Sequence, residues 1–310
     1  MSNPFHPELQ GAARWLPRFN FGPRLTRMVQ ALQVRRGVPA PPVLDDVSIR
    51  DVMVSAPDGQ QIRVRLYTPT SPSGAALLWI HGGGFIIGSP EQDQSGSIAL
   101  ARELKVTIAA TTYRLAPRHS HPTAVEDCYT ALRWLHDHAG ELAIDRGRIA
   151  VGGNSAGGGL AAGLVLLAHD RGEVPVRFQL LIYPMLDDRT ALRTDFDNKR
   201  LRMWHTGSNR FGWRSYLGQE PGSAQVSEYA APGRRKDLSG LPPAWIGVGT
   251  CDLFHDEDVD YARRLNDAGV KCDLHVVAGA FHGFDLVQKA GVVKDFRRRY
   301  VDALRAGLGL

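Results

Sequence analysis

Cysteine is scarce in this chain: Cys128, Cys251 and Cys272 are the only three in 310 residues, and none stands in a Cys-x-x-Cys pair. A disulfide framework is thereby excluded, and a reducing compartment suits the composition. The first residues, Met-Ser-Asn-Pro-Phe-His-Pro-Glu, lack both the basic start and the apolar core of a secretion signal, so a cytoplasmic protein is expected. A clean hydrophobic run is missing too. The most apolar window, Ile149 to Ala168, is long enough to span a bilayer, but it holds six glycines, an asparagine and a serine. It reads as a buried strand, turn and helix, and no integral membrane segment is expected. Excess charge of one sign is small: the net charge is +5 and the arginines look scattered. Arg297, Arg298 and Arg299 are consecutive, so on a helix they point about 100° apart and cannot form one basic stripe. A solvated face is the better account, and no nucleic-acid partner is expected. Internal repeats and low-complexity segments are absent.

What is present is a chain long enough to bury a large core, as one big α/β domain with or without an accessory piece. Its organising stretch is Ile149-Ala-Val-Gly-Gly-Asn-Ser155-Ala-Gly-Gly158, where four small or apolar residues run into Gly-x-Ser-x-Gly and a helical pattern follows to Leu167. A serine on a sharp strand-to-helix turn takes a strained backbone. Glycines two residues to either side, Gly153 and Gly157, leave room for the turn and for helix–strand packing. The hydroxyl is then exposed, and the Ala156 N–H opens a helix pointing at whatever the serine attacks.

Residues 1–36 place Leu16, Phe19, Phe21, Leu25, Met28, Val29 and Leu32 at near-helical spacing among arginines, which predicts one or two amphipathic helices. Gly37 to Pro42 reads as a stiff extended linker. Alternation then predicts a hairpin over Val47–Leu66 with its turn at Pro57-Asp58-Gly59, and an all-apolar strand over Ala75–Ile80. Further strands are expected at 106–111, 148–152, 176–183, 244–249 and 272–277, and helices at 123–138, 256–268 and 290–306. Residues 187–222, polar and basic with Phe196, Trp204, Phe211, Trp213 and Tyr216, break the alternation and read as an insertion forming a lid with residues 1–36. The expected division is therefore 1–42 and 187–222 as cap, with 43–186 and 223–310 as a mostly parallel α/β core.

A serine nucleophile needs a base and donors for the oxyanion, and in such a sheet these lie at the carboxyl ends of strands. Asp252 follows the strand at 244–249, and His282 follows the one at 272–277. The order Ser155, Asp252, His282 matches the known order in α/β hydrolases. Asp256, Glu257 and Asp258 are rival acids, better read as N-terminal charges of the next helix. His81, His119, His121 and His255 are rival bases. His255 with Asp252 and Asp256 lacks the second ligand cluster a metal site would need, so no metal is expected. His81-Gly82-Gly83-Gly84-Phe85 is a glycine run able to turn its N–H groups toward a ligand, and no Walker lysine follows it.

Together these segments resemble the bacterial hormone-sensitive-lipase-like family of α/β-hydrolase carboxylesterases over roughly residues 45–305. The resemblance rests on His81-Gly-Gly-Gly-Phe85, Tyr113-Arg-Leu-Ala-Pro117, Gly152-Gly-Asn-Ser-Ala-Gly-Gly158, Tyr183-Pro184, Asp252-Leu-Phe-His-Asp-Glu257 and His282-Gly-Phe284. It implies an eight-stranded, mostly parallel sheet flanked by helices under a helical cap. It implies Ser155 as nucleophile, His282 as base, Asp252 as its orienting acid, and the N–H groups of Gly83, Gly84 and Ala156 as oxyanion donors. His81 is implied to shape its loop rather than move protons. No cofactor is implied, and the substrate would be a small acyl ester of short to medium chain. Activity is then expected to rise with pH as the histidine gives up its proton. Asn154 stands where many relatives carry Asp or Thr, and Arg118-His-Ser-His121 replaces a more usual Glu-His-Pro-Phe. Two other readings share the same parts: a serine hydrolase or acyltransferase acting on amides, thioesters or lactones, and a non-catalytic ligand-binding relative. The complete set of Ser155, Asp252 and His282 weighs against the second.

Overall fold

Eight strands form one sheet in the order β1-β2-β4-β3-β5-β6-β7-β8. In chain order they are β1 (Val47–Ser55), β2 (Gln61–Pro69), β3 (Ala76–Ile80), β4 (Thr107–Thr111), β5 (Ile149–Asn154), β6 (Phe178–Ile182), β7 (Ala244–Cys251) and β8 (Cys272–Phe281). The hairpin β1–β2 is antiparallel and joins β4 antiparallel; the six strands from β4 to β8 are mutually parallel. The computed structural model describes residues 3–16 and 20–310. Phe19, expected on the first amphipathic helix, lies outside them.

Side-chain alternation explains why β3 is apolar throughout. Leu78 and Ile80 enter a core beneath α4 (Thr123–Asp137), α5 (Ala156–Arg171) and α7 (His255–Asp267). Leu77 and Trp79 enter a second core beneath α3 (Gln94–Leu104) and α8 (Gly291–Leu308). A strand covered on both faces has no place for a polar side chain. Helix α5 is buried all round from Ala156 to Ala168, which is why its sequence shows no polar face. Helix α8 buries Val293, Phe296, Val301, Leu304 and Leu308 at helical spacing. Arg298 and Arg299 pair with Asp295 on its outer face, the solvated arrangement expected of that basic run.

Two short helices precede the sheet, α1 (Gln10–Trp15) and α2 (Pro23–Arg36), and the 187–222 stretch supplies α6 (Thr206–Leu217). Phe5, Leu9 and Ala13 do not join α2; they are buried on the α8 side of the sheet, with the Phe5 ring edge-on to Phe281 at 5.7 Å. Phe21 instead meets the α6 segment: its N–H donates to Ser208 Oγ at 2.9 Å and its ring lies 5.8 Å from Trp204. Gln30 of α2 donates from Nε2 to the carbonyls of Ile86 and Ala116, tying the helix to the glycine-rich loop. Helix α3 has no counterpart in the sequence reading. Its Gln-Ser-Gly-Ser start hides a helix whose buried face is only Ser97, Leu100, Ala101 and Leu104.

One buried cation links the hairpin to the loop below the site. Arg65 is fully buried, paired through Nε with Asp51 at 2.7 Å and through Nη1 with Glu91 at 3.1 Å, and it also donates to Gln94 and the Pro39 carbonyl. Arg63 also pairs with both acids, with Asp51 at 3.2 Å and with Glu91 at 2.7 Å, so neither carboxylate is left without a cation when Arg65 is removed. Arg65→Ala is expected to lower the unfolding free energy by about 1 to 3 kcal/mol in urea titration through the charged hydrogen bonds lost, whereas an unchanged value would mean that Arg63 replaces it completely.

Candidate active site

Strand β5 ends at Asn154, and α5 begins at Ala156, so Ser155 alone makes the turn. Its φ of 55° and ψ of −123° are conformations a residue with a Cβ avoids. The strain is held by three backbone bonds: Ser155 N–H to the Ile182 carbonyl at 2.9 Å, and the Ser155 carbonyl accepting from Gly159 and Met185 at 3.0 Å. Beside it, Gly157 packs with no space for a side chain, because a Cβ there would meet the backbone carbonyls of Ile80 and His81.

His282 follows β8 directly. Its Nε2 lies 2.9 Å from Ser155 Oγ and its Nδ1 lies 2.8 Å from Asp252 Oδ2. Asp252 Oδ1 accepts from the Phe254 N–H at 3.0 Å, which fixes the carboxylate. All three side chains are buried, the serine with only 8% of its surface exposed. The imidazole is held on two sides, edge-on to Tyr183 at 4.7 Å and to Phe254 at 5.2 Å. Tyr183 in turn donates its hydroxyl to Asp285 Oδ1 at 2.6 Å, so the strand β6 end and the loop after His282 are locked together. Such a row can pass a proton from hydroxyl to imidazole while the carboxylate steadies the cation formed.

Gly82, Gly83 and Gly84 line the same cavity as Ser155 and His282. Gly83 has φ of +120°, and a Cβ on it would strike the Ile87 carbonyl, so the turn admits glycine alone. Among the described residues the backbone N–H groups of Gly83, Gly84 and Ala156 donate no hydrogen bond within the protein. Three free donors beside a serine hydroxyl can hold a negatively charged oxygen. His81 is not at the reacting centre: it is buried, stacked on Tyr113 at 4.3 Å, with Nδ1 2.8 Å from the Gly82 carbonyl. Burial lowers its pKa to about 4, so it stays neutral while it shapes the loop. The loop at residues 118–121 packs against the cap: the His121 N–H donates to the Tyr216 carbonyl at 2.6 Å. The rival acids sit in the first turn of α7, as expected from their position. Glu257 there accepts from the N–H groups of Leu186 and Asp187 and from the Thr190 hydroxyl.

The cavity around Ser155 measures about 320 Å³ and is roofed by Phe21, Met203, Trp204 and Leu286. Of the aromatics expected over the site, Trp204 is there. Phe196 and Phe211 line a separate surface cleft, and Trp213 and Tyr216 are buried against Phe85. Two carboxylates that sequence reasoning missed also border the cavity, Asp93 and Asp285. Both separate it from a neighbouring hollow of about 370 Å³ toward α3 and α8. Asp93 accepts from Trp79 Nε1 at 2.9 Å and from Asn154 Nδ2 at 3.3 Å. That second bond is what Asn154 does in place of an acid: an aspartate there would set two carboxylates face to face. Burial, reinforced by the charge of Asp285, pushes Asp93 up to about 6 against the donors that favour its ionised form. Burial likewise raises Asp285. No motif marks either position, since each becomes special only through burial.

Comparison with known proteins agrees with this geometry. A family described by the α/β hydrolase fold matches residues 77–286. The chain is 34% identical over 270 residues to esterase LipI of Mycobacterium tuberculosis, covering 86% of this chain and 83% of that protein. It is 36% identical over 252 residues to ethyl acetate hydrolase of Pseudomonas putida, covering 76% and 75%. Among solved structures, a bacterial heroin esterase superposes with a TM-score of 0.90 at 42% identity, covering 98% of both chains.

The raised Asp93 makes stability depend on pH in a stated direction. Its ordinary value is 3.8 and its folded value about 6, so the folded state holds the proton more tightly. The stabilisation is complete below the ordinary value and is lost as pH rises through about 6. Relative to Asp93→Asn, the wild type is expected to lose about 2 kcal/mol of stability between pH 4 and pH 8. Parallel denaturation curves across that range, with no change in the difference, would show that Asp93 is ionised throughout.

Proposed function

The chain belongs to the α/β-hydrolase family, in its hormone-sensitive-lipase-like branch, and from that premise we propose that it is a serine carboxylesterase with Ser155 as nucleophile, His282 as base and Asp252 as orienting acid. The observation that carries the reading is the unbroken row from Ser155 Oγ through His282 to Asp252, at 2.9 and 2.8 Å, opening on a cavity bordered by unused N–H donors. His282 takes the serine proton as Oγ attacks the ester carbonyl. The oxyanion settles on the N–H groups of Gly83, Gly84 and Ala156, and the protonated imidazole returns its proton to the departing alcohol. Water then enters by the same route and releases the acid.

A cavity of about 320 Å³ lies at the small end of ligand sites, which run from about 300 to 1,000 Å³, and this favours short and medium acyl chains over long ones. The relatives named for ester hydrolysis support the same substrate class. The helical segments at 1–42 and 187–222 act as the cap in this reading, supported by the Phe21 and Trp204 rings over the site. Among the described residues no helix is long and apolar enough to cross a membrane. A cytoplasmic location is supported by Cys128, Cys251 and Cys272, which are buried and unpaired.

Hydrolysis of p-nitrophenyl acetate, butyrate, octanoate and palmitate tests the proposal. Turnover should be greatest on the shorter esters and fall by at least about 10⁴ in Ser155→Ala. Equal turnover by wild type and Ser155→Ala would overturn it. Gly83→Ala keeps its N–H, but its Cβ would strike the Ile87 carbonyl and force the loop to carry that donor away, so kcat should drop by at least about 10²–10³, the usual cost of losing one oxyanion donor, with a smaller change in KM. An effect confined to KM would remove Gly83 from that role.

A further inference from the structure

The positive charge of this chain is concentrated, not scattered. Between Leu9 and Leu44 there are six arginines and no aspartate or glutamate. Subtracting those six from 37 basic residues leaves 31, against 32 acidic ones, so this one segment accounts for the whole excess. Among the described residues, Arg14, Arg24, Arg27, Arg35 and Arg36 form no ion pair; Arg27 Nε merely reaches the Pro23 carbonyl on its own helix. Elsewhere on the surface the arginines of Arg102, Arg193, Arg235 and Arg263 are each matched by acids.

The same segment exposes apolar side chains that a solvated face does not need. Trp15 is 90% exposed, Val34 83%, Met28 62% and Leu32 44%. On α2 the positions Arg24, Arg27, Met28, Ala31, Leu32 and Arg35 recur every three or four residues, so they form one stripe, all of it exposed. The opposite stripe is anchored: Thr26 is buried, Leu25 packs on the core and Gln30 bonds the loop carbonyls of Ile86 and Ala116. The helix is thus held by one side, and its other side mixes arginines with thioether and aliphatic groups.

We propose that this face docks the protein onto an anionic lipid surface. Guanidinium groups meet the headgroup phosphates, while Met28 and Leu32 enter the boundary between headgroups and acyl chains, where thioether and aliphatic groups are favoured. Charge complementarity selects this occupant. A second copy of the same face would set arginine against arginine, and a nucleic acid would use the guanidinium groups but gain nothing from the apolar ones.

Flotation of the full chain with vesicles tests this. The wild type should rise with vesicles of phosphatidylcholine mixed with phosphatidylglycerol, stay behind with phosphatidylcholine alone, and be released by added salt. One arginine near such a surface contributes roughly fivefold in partition, so Arg24→Glu/Arg27→Glu/Arg35→Glu should bind at least about 100-fold more weakly. Met28→Ser/Leu32→Ser should bind several-fold more weakly with every charge in place. Hydrolysis of soluble p-nitrophenyl acetate should be unchanged in both variants, which separates the fate of this surface from that of the esterase assignment. The proposal fails if the wild type ignores the mixed vesicles, or if either variant floats as the wild type does. It also fails if the arginine variant instead loses binding to labelled DNA or self-association in sedimentation while vesicle binding was never present.

Discussion

The interaction on which this site depends contains no side chain. Where β3 gives way to the glycine-rich loop, its last carbonyls lie directly against the first turn of α5, so closely that a Cβ on Gly157 would meet both Ile80 and His81. Backbone-to-backbone contact brings the free N–H groups of Gly83 and Gly84 to the cavity that Ser155 also lines. Parallel pairing of β3 with β5 sets the distance, with Ile80 opposite Gly153 at the carboxyl end of both strands. Ser155 and the glycine N–H groups beside it are thus positioned by sheet register, and the positive φ of Ser155 is held because β6 and α5 over-determine it.

The histidine is positioned by side chains instead. Tyr183 and Phe254 hold its ring edge-on from two strands, and the Tyr183 hydroxyl binds the loop that carries it through Asp285. These contacts are electrostatically uneven. Asp252 is oriented by a backbone N–H, whereas Asp93 and Asp285 are bordered by neutral donors and are raised by burial. Three acids within one small region therefore differ in what keeps them: one faces the imidazole, and the other two close the wall behind it.

Most of the sheet was legible because buried parallel strands are nearly pure apolar runs, and each expected strand appears within two or three residues of its place except at the end of β8. That strand was expected to stop at Val277, since Ala-Gly-Ala resembles a turn, yet it continues to Phe281 and delivers His282 directly. Ser155, Asp252 and His282 were legible from motif and order, because a nucleophile elbow requires glycine at fixed offsets and the other two must follow strands. Helix α3 was not, since its buried face is narrow and its start is rich in serine and glycine. Asp93 and Asp285 were not either: nothing in a lone aspartate tells whether a cavity will close around it. The arginines of the N-terminal segment look scattered because apolar residues space them, and only the missing acids reveal the concentration.

Core and cap consequently divide the work. Ser155, His282, Asp252 and the free N–H groups belong to strand ends whose geometry is fixed by two layers of buried side chains. The segments outside the sheet add the roof of the cavity. The Trp204 indole lies against Gly84 so tightly that not even a methyl group would fit between them, and the same ring packs on Phe21. Helix α2 meets this wall by two routes, through Phe21 to Trp204 and through Gln30 to the Ile86 and Ala116 carbonyls, while Ser155, His282 and Asp252 stay where the sheet holds them.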